Sequence, residues 1–126
     1  MPNGRVLLVE DNEVIQMLAS AMMDQWHVNY KIAHDGKDAI EKWIRLKPDL
    51  VLMDCQLPVI DGYEATRQIR EKEKQTPSEK PTPIIAITAN DDETTQKLCE
   101  EAGMNDLLSK PFQETELRAV IEKWAG

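Results

Sequence analysis

Five short apolar runs recur along the chain, and a longer segment with helical spacing of its apolar residues follows each of them. The runs at 6–9, 50–53 and 84–88 are continuous and aliphatic, which is typical of strands buried on both faces of a parallel sheet. Residues 28–33 alternate weakly and predict a less buried strand. The run 107–108 predicts a short fifth strand.

The segments between these runs predict five helices. In the first helix, Asn12 suits the N-cap position, and Val14, Ile15, Leu18 and Met22 form one apolar face. We expect this face and the methionines to lie in the core. The later helices are predicted from Ala39 to before Pro48, over 63–73, over 94–102 with Gly103 as the C-cap, and around Leu117, Val120, Ile121 and Trp124.

Strands that alternate with helices predict a three-layer α/β fold, because right-handed crossovers place helices on both faces of a parallel sheet. A chain of 126 residues has the size of one domain. We expect a disordered leader at 1–4 and a single domain over 5–126. The segment 74–83 holds three prolines and is predicted to be a surface loop without a structural role.

Composition and charge disfavour several classes of function. The formal net charge of −8 argues against a nucleic-acid surface, since phosphate contacts need clustered lysines and arginines. The chain has no apolar run of membrane-spanning length and no signal-peptide pattern, which predicts a cytoplasmic domain without membrane contact. Cys55 and Cys99 lack a CxxC partner and are expected to be buried, reduced thiols.

Polar residues follow four of the predicted strands at the point where each strand ends. They are Glu10 and Asp11, Asp54, Thr88, and Lys110. In open α/β sheets, ligands bind beyond the carboxyl ends of the strands. One such acid is more often a cap or a turn residue, but five polar residues at these ends together indicate a site.

The chemistry of these residues suggests what the site binds. Three carboxylates at close range repel one another unless a cation neutralises them, and hard oxygen ligands suit Mg²⁺ better than zinc. A divalent ion, the ammonium of Lys110 and the hydroxyl of Thr88 would suit a phosphoryl group in transfer to Asp54.

Four stretches of the chain resemble a response-regulator receiver domain. They are LLVEDN at 7–12, LVLMDCQLPVIDGYEATRQIR at 50–70, TPIIAITAN at 82–90 and SKPF at 109–112. The sequences of these stretches are most similar to those of receivers of hybrid histidine kinases and other phosphorelay proteins. The resemblance implies a doubly wound, flavodoxin-like (βα)₅ fold with a parallel five-stranded sheet in the order 2-1-3-4-5.

The resemblance also implies roles at the metal site. Asp54 would be the phosphoacceptor. Glu10 and Asp11 would hold Mg²⁺ together with Asp54, directly or through water, and the backbone carbonyl of Gln56 would complete the protein ligands. Glutamate at position 10 is a mild variation that keeps the charge.

Further implied roles concern the phosphoryl group and the switch. Thr88 and Lys110 would contact the phosphoryl group, the Lys110–Pro111 peptide bond would be cis, and the small Ala89 would leave room for the phosphate. Receivers often carry an aromatic switch residue where this chain has Leu107. A rotating ring coupled to Thr88 is therefore not expected, although Thr88 and its loop could still move.

These features imply a module that accepts a phosphoryl group on Asp54 from a phosphohistidine in a Mg²⁺-dependent reaction and then changes its surface. It would catalyse its own phosphorylation and dephosphorylation without being a classical enzyme. The implied partners are a histidine kinase or a histidine phosphotransfer protein. Formation of a weak homodimer is left as an open alternative. The chain would be a stand-alone receiver or a piece of a longer protein, such as a membrane-attached hybrid kinase.

Two other functions stay open at this point. A Mg²⁺-dependent phosphatase of the haloacid dehalogenase type also forms an aspartyl phosphate. Those enzymes usually carry a second Asp two residues after the nucleophile, where this chain has Gln56. A phosphorylation-independent interaction domain commonly lacks one of the acids or the lysine, and this chain has them all. Both of these differences favour a receiver domain over the other two classes.

Overall fold

The computed structural model describes residues 4–76 and 79–125, and in this part of the chain five strands alternate with five helices. Residues 1–3 of the predicted leader and residues 77–78 of the predicted loop lie outside the described residues. The elements are β1 (Arg5–Val9), α1 (Glu13–Gln25), β2 (Asn29–Ala33), α2 (Gly36–Leu46), β3 (Leu50–Asp54), α3 (Gly62–Lys74), β4 (Ile84–Thr88), α4 (Glu93–Ala102), β5 (Asp106–Ser109) and α5 (Glu114–Trp124).

The strands form one parallel sheet in the order β2-β1-β3-β4-β5, so the predicted fold and strand order are confirmed. β3 and β4 are buried along their whole length, whereas residues of the edge strand β2 alternate between partly or fully exposed positions before the buried Ala33. Because the strands are parallel, the carboxyl ends of all five lie at one edge of the sheet. Within the described residues, no helix is both long and apolar enough to span a bilayer.

Successive strand residues point to opposite faces and build two cores. Leu8 and Leu52 pack on one face with residues of α1 and α5. Leu7 and Val51 pack on the other face with residues of α2, α3 and α4. Cys55 and Cys99 are free and buried in this second core, as predicted.

Asn or Asp caps begin four of the helices close behind the strands. The predicted N-cap at Asn12 is confirmed, because its side chain accepts hydrogen bonds from the backbone N–H groups of Val14 (2.9 Å) and Ile15 (3.2 Å). Gly103, in the left-handed region with φ 99°, ends α4 as predicted. These caps allow short connections, which hold the strand-end residues close to the helix starts.

The end of the predicted surface loop before β4 has contacts that the sequence did not reveal. The side chain of Thr82 accepts a hydrogen bond from Trp43 Nε1 (3.0 Å), and its backbone carbonyl accepts one from Arg70 (2.9 Å). The described end of the loop therefore joins α2 and α3, contrary to the expectation that it has no structural role.

The predicted core face of α1 is wrong for Val14 and Leu18, whereas Ile15 is half-buried and Met22 packs against the first core. Val14 and Leu18 are 65% and 56% exposed, and Met17, expected in the core, is 71% exposed. The residues of α1 that are fully buried are Ala19 and Met23. α1 carries apolar residues around much of its circumference, so periodicity could not select the buried face.

The turn between β3 and α3 is tight at both of its ends. Val59 has φ 70°, an unusual value for a β-branched residue, and the Ile60 N–H donates to the carbonyl of Pro58 at 2.8 Å. At the start of α3, the Gly62 N–H donates to the carbonyl of Cys55 at 3.1 Å. The helix therefore starts in direct contact with the end of β3.

We predict that Gly62→Ala destabilises the protein by at least about 2 kcal/mol. A methyl group at position 62 would overlap the backbone oxygen of Asp54, so helix and strand would have to separate. Urea unfolding measures the change. Val59→Gly is the control in the same turn. Val59 is 77% exposed and strained, and its replacement should leave stability within about 1 kcal/mol of the parent. Equal stability of Gly62→Ala and the parent would contradict the close contact.

Candidate functional site

A cleft of about 340 Å³ lies at the carboxyl edge of the sheet and brings most of the predicted site residues together. The connection after β1, the end of β3, the end of β4 and the connection after β5 each contribute side chains. The lining residues are Glu10, Asp11, Asn12, Asp54, Gln56, Thr88, Ala89 and Lys110. Residues predicted from four distant segments thus form one site.

Three carboxylates share this cleft. One oxygen from each of Glu10, Asp11 and Asp54 lies within 4.8 Å of the other two. Glu10 is fully buried and Asp54 is 3% exposed, whereas Asp11 faces solvent. Two acids withdrawn from water beside an open third acid are an arrangement that fits a hard divalent cation with water in part of its coordination shell.

Lys110 supplies the positive charge nearest these acids. Its Nζ lies 3.1 Å from Asp54 Oδ2 and 3.0 Å from Glu10 Oε2. Lys110 Nζ donates a hydrogen bond to Glu10 Oε1 at 3.4 Å, whereas Glu10 Oε2 is held by the ion pair and accepts no hydrogen bond from residues 4–76 and 79–125. One ammonium shared between two buried carboxylates leaves negative charge for a cation to neutralise, so the donor set fits the ion that the sequence suggested.

The environment of Asp54 leaves its carboxylate fixed in orientation. Asp54 Oδ1 accepts a hydrogen bond from the backbone N–H of Gln56 at 3.1 Å, and Oδ2 accepts one from Lys110 at 3.1 Å. Both donors stabilise the charged carboxylate. An oriented, ionised carboxylate that opens onto a cleft can act as a nucleophile or as a metal ligand.

The surroundings of Glu10 in this cluster change its pKa. Burial, and after it the charge of Asp54, raise the pKa of Glu10 from 4.5 to about 7, against the opposing effect of Lys110. Burial by itself would lower the pKa of Lys110, but its hydrogen bond to Glu10 and the charge of Asp54 raise it above its ordinary value. The ammonium therefore stays charged, whereas Glu10 is partly protonated near neutral pH.

Thr88 lines the cleft, but its hydroxyl is bonded to its own loop. Thr88 Oγ1 donates to the carbonyl of Asn90 at 3.0 Å and accepts from the Asn90 N–H at 3.1 Å. Ala89 lies between them and lines the cleft with a single methyl group. A ligand at Asp54 would have to compete with the Asn90 carbonyl for the hydroxyl proton.

Leu107 and Pro111 are not among the residues that line the cleft. Leu107 pairs with Ala86 across the β4–β5 ladder and packs, half-buried, against the second core. The Lys110–Pro111 peptide bond is cis, as the resemblance implied. Lys110 directly precedes this bond and is the residue that reaches the carboxylates.

Two contacts to Glu10 were missed by the sequence analysis. The backbone N–H of Asn12 donates to Glu10 Oε1 at 3.2 Å, and Gln16 Nε2 donates to the backbone carbonyl of Glu10 at 2.5 Å. Asn12 was assigned only a capping role, and Gln16 was not singled out. A polar side chain among the apolar positions of α1 was the signal that pointed to Gln16.

Comparisons with known proteins give a consistent result. A family model described as the response regulator receiver domain matches residues 6–122. The receiver domain of Ssk1 from Saccharomyces cerevisiae, in its co-crystal structure with the histidine phosphotransfer protein Ypd1, is similar at 35% identity and a TM-score of 0.94, covering 98% of this chain and 90% of that one. The receiver domain of the sensor histidine kinase PA1611 from Pseudomonas aeruginosa PAO1, with magnesium coordinated in its active-site cleft, is 42% identical at a TM-score of 0.87, covering 98% of both chains.

Similar full-length proteins are much longer than this chain. Hybrid signal transduction histidine kinase B from Dictyostelium discoideum is 38% identical over 121 residues, which cover 90% of this chain and 6% of that protein. The autoinducer 2 sensor kinase/phosphatase LuxQ from Vibrio vulnificus is 41% identical over 113 residues, with 90% and 13% coverage. The chain therefore corresponds to a small part of the relatives that it matches.

We predict that mild acidification stabilises the metal-free protein. Because the pKa of Glu10 is raised on folding, the folded state binds more protons than the unfolded state between about pH 4.5 and 7, and stability falls as pH rises through this window. Lowering the pH from 7.5 to 5.5 should increase the free energy of unfolding by roughly 1–2 kcal/mol. Urea unfolding in the presence of a chelator measures this change. Glu10→Gln should remove it, and a full increase in that variant would show that another group is responsible.

Proposed function

This chain belongs to the response regulator receiver domain family, and on that premise we propose that it accepts a phosphoryl group from a phosphohistidine on Asp54. The observation that carries the proposal is the buried carboxylate of Asp54, which opens onto a cleft beside two more carboxylates and the ammonium of Lys110. The domain proposed for this role spans 5–126. Its cytoplasmic setting is a prediction from sequence alone.

The proposed reaction is an in-line displacement at phosphorus. An oxygen of Asp54 forms the new P–O bond, the P–N bond of the phosphohistidine breaks, and the imidazole nitrogen keeps the electron pair. The Gln56 N–H on Oδ1 and Lys110 on Oδ2 hold the carboxylate in place as the donor approaches. Positioning and charge neutralisation are the main contributions that a protein makes to this kind of transfer.

The residues proposed to hold Mg²⁺ are Glu10, Asp11, Asp54 and the backbone carbonyl of Gln56. When bound, the ion would neutralise charge on the acids and on the oxygens of the phosphoryl group. The fit rests on the oxygen-only donor set and on Glu10 Oε2, a buried oxygen that is paired with Lys110 by charge but accepts no hydrogen bond from the described residues. The magnesium in the similar PA1611 receiver domain supports the same choice of ion.

Lys110 and Thr88 are proposed to contact the phosphoryl group. Lys110 already bridges Asp54 and Glu10, so its ammonium can stay bound to the product while its contact to Glu10 loosens. The Thr88 hydroxyl would exchange the carbonyl of Asn90 for a phosphoryl oxygen. Ala89 leaves room beside them.

The phosphatase alternative is not favoured. A haloacid dehalogenase-type enzyme needs a general acid two residues after its nucleophile, and the amide of Gln56 cannot donate a proton in that way. An interaction domain without phosphoryl transfer would not need the buried acids and lysine that this cleft retains. The receiver function accounts for all of them.

The proposed partner is a histidine kinase or a histidine phosphotransfer protein, as for the Ssk1 receiver domain, which was crystallised with Ypd1. A donor that reaches Asp54 must cover the cleft, whose rim includes Asn12 at the start of α1. The exposed side chains of Val14, Met17 and Leu18 continue from that rim along the helix. Burial of such a patch is a strong source of binding energy, so we place the donor over the cleft and α1.

The signal is proposed to leave through the surface of α4, β5 and α5. Phosphorylation adds negative charge at the carboxyl edge, and Thr88 precedes the connection to α4. Leu107 lies on β5, paired with Ala86 of β4, and offers no ring hydroxyl to bond. Nucleic-acid binding is not proposed, in view of the net charge of −8, and a weak homodimer stays a prediction.

We predict that the parent protein gains one phosphoryl group when it is incubated with Mg²⁺ and acetyl phosphate, as measured by intact mass. Asp54→Asn should gain none, because an amide oxygen is a poor nucleophile. Asp61→Asn is the matched control in the same connection, since Asn can replace Asp as the N-cap of α3. A gain in mass by Asp54→Asn, or no gain by the parent, would show that the acceptor is wrong. Multiple turnover of phosphate monoesters would support the phosphatase instead.

We predict that Met17→Gln and Leu18→Gln slow transfer from a phosphorylated histidine phosphotransfer protein such as Ypd1 by about tenfold each, since each loses apolar contact worth about 1–2 kcal/mol. Their phosphorylation by acetyl phosphate should be unchanged, because that small donor needs no docking surface. Ile44→Gln on α2, where Ile44 is 50% exposed, is the control for removing an exposed apolar side chain elsewhere. Equal transfer rates in all three variants would place the donor on a different surface.

A further inference from the structure

Gln16 joins two connections at the carboxyl edge of the sheet. Its half-buried side chain extends from α1, and Nε2 lies 2.5 Å from the backbone carbonyl oxygen of Glu10 and 3.3 Å from Nδ1 of His34. Glu10 directly follows β1, and His34 directly follows β2. One amide group therefore bridges the ends of two neighbouring strands.

The position of the Glu10 carbonyl affects the orientation of two residues of the acidic cluster. It belongs to the rigid, planar peptide unit that links Glu10 to Asp11, so fixing its oxygen fixes the plane between two carboxylate-bearing residues. On its other side, the Glu10 N–H donates to the carbonyl of Ala33 at 3.0 Å. The two bonds hold Glu10 on both sides of its Cα, and the bond to its carbonyl is the one that depends on Gln16.

The two contacts determine how the Gln16 amide is oriented. The carbonyl of Glu10 can only accept, so the NH₂ group and not the oxygen of Gln16 must face it. The same NH₂ group lies 3.3 Å from His34 Nδ1 and can donate its second hydrogen there when that nitrogen is the unprotonated one of the ring. His34 thereby keeps the amide in the orientation that Glu10 requires.

We propose that Gln16 is a positioning residue for the metal ligands, acting through the carbonyl of Glu10 and itself oriented by His34. This inference rests on the proposed Mg²⁺ site of Glu10, Asp11 and Asp54. Groups that orient metal ligands without touching the metal commonly contribute 10- to 100-fold to affinity. Since Gln16 acts through the main chain and not on a ligand atom, we expect the lower end, about tenfold.

The first experiment compares Mg²⁺ dissociation constants by isothermal titration calorimetry. Gln16→Met keeps the length and helix propensity of the side chain but has no donor, and should weaken Mg²⁺ binding about tenfold. Gln25→Met makes the same replacement at the exposed last residue of α1 and should bind Mg²⁺ like the parent. Urea unfolding of both variants without metal should show similar stability, which separates ligand positioning from a general effect on the fold.

The second experiment is a double-mutant cycle with His34→Ala. If His34 acts through Gln16, His34→Ala in the parent weakens Mg²⁺ binding by a smaller factor than Gln16→Met does. In the Gln16→Met background, His34→Ala then has no further effect on Mg²⁺ binding. A purely structural role of either side chain would not produce this loss of coupling in the dissociation constant.

The outcomes separate the two proposals. No Mg²⁺ binding by the parent protein would overturn the proposed metal site together with this inference. Binding by the parent with an unchanged constant for Gln16→Met, or an equal loss in Gln25→Met, would overturn the inference and leave the proposed function intact. Fully additive effects of Gln16→Met and His34→Ala would show that His34 does not act through the amide.

Discussion

Like charges gathered at one edge of a parallel sheet are the constraint on which this structure depends. β1 and β3 are adjacent, so the carboxylates of Glu10, just after β1, and Asp54, the last residue of β3, are brought together away from water. Lys110 balances only part of the charge of three acids. Burial, and after it the charge of Asp54, raise the pKa of Glu10. The remaining negative charge makes a divalent cation a favourable occupant of the cleft.

The connections around the cleft are built to keep this unfavourable cluster in place. Asn12 caps α1 with its side chain and holds Glu10 Oε1 with its N–H, so one residue starts the helix and orients an acid. Gly62 lets α3 start against the backbone of Asp54. Gln16 adds a bond to the Glu10 carbonyl from the next turn of α1. The site is thereby organised before any ligand binds, which lowers the reorganisation needed for binding and transfer.

In the proposed function, the signal would leave the site through hydrogen bonds at the end of β4. Thr88 shares its hydroxyl with the backbone of Asn90, and the side chain of Asn90 accepts the N–H of Asp92 at 3.2 Å, which is the N-cap of α4. In the proposed function, recruitment of the Thr88 hydroxyl by a phosphoryl group loosens the first of these bonds. Leu107 packs against the second core and makes none of these hydrogen bonds, so the connection to α4, and not a rotating ring, would carry the change.

Much of this protein could be predicted from its sequence, for local reasons. Aliphatic runs and caps such as Asn12 are local signals, and they predicted the alternation of strands and helices. The polar residues at the strand ends predicted a shared site, because parallel strands end at one edge. The strand order, the cis bond before Pro111 and the individual roles came from the resemblance to a family, since periodicity alone does not encode them.

The tertiary structure decided what depends on the packing of distant segments. The apolar positions of α1 allowed more than one core face, and contact with the sheet buried Ala19 while leaving Val14 and Leu18 exposed. Gln16 meets His34 only because β1 and β2 are neighbours, and the contact spans 18 positions that no local pattern connects. The sequence by itself determined which groups are available and at which strand ends. The three-dimensional fold decided which of them touch, because contact energies depend on distances that the order of residues does not specify.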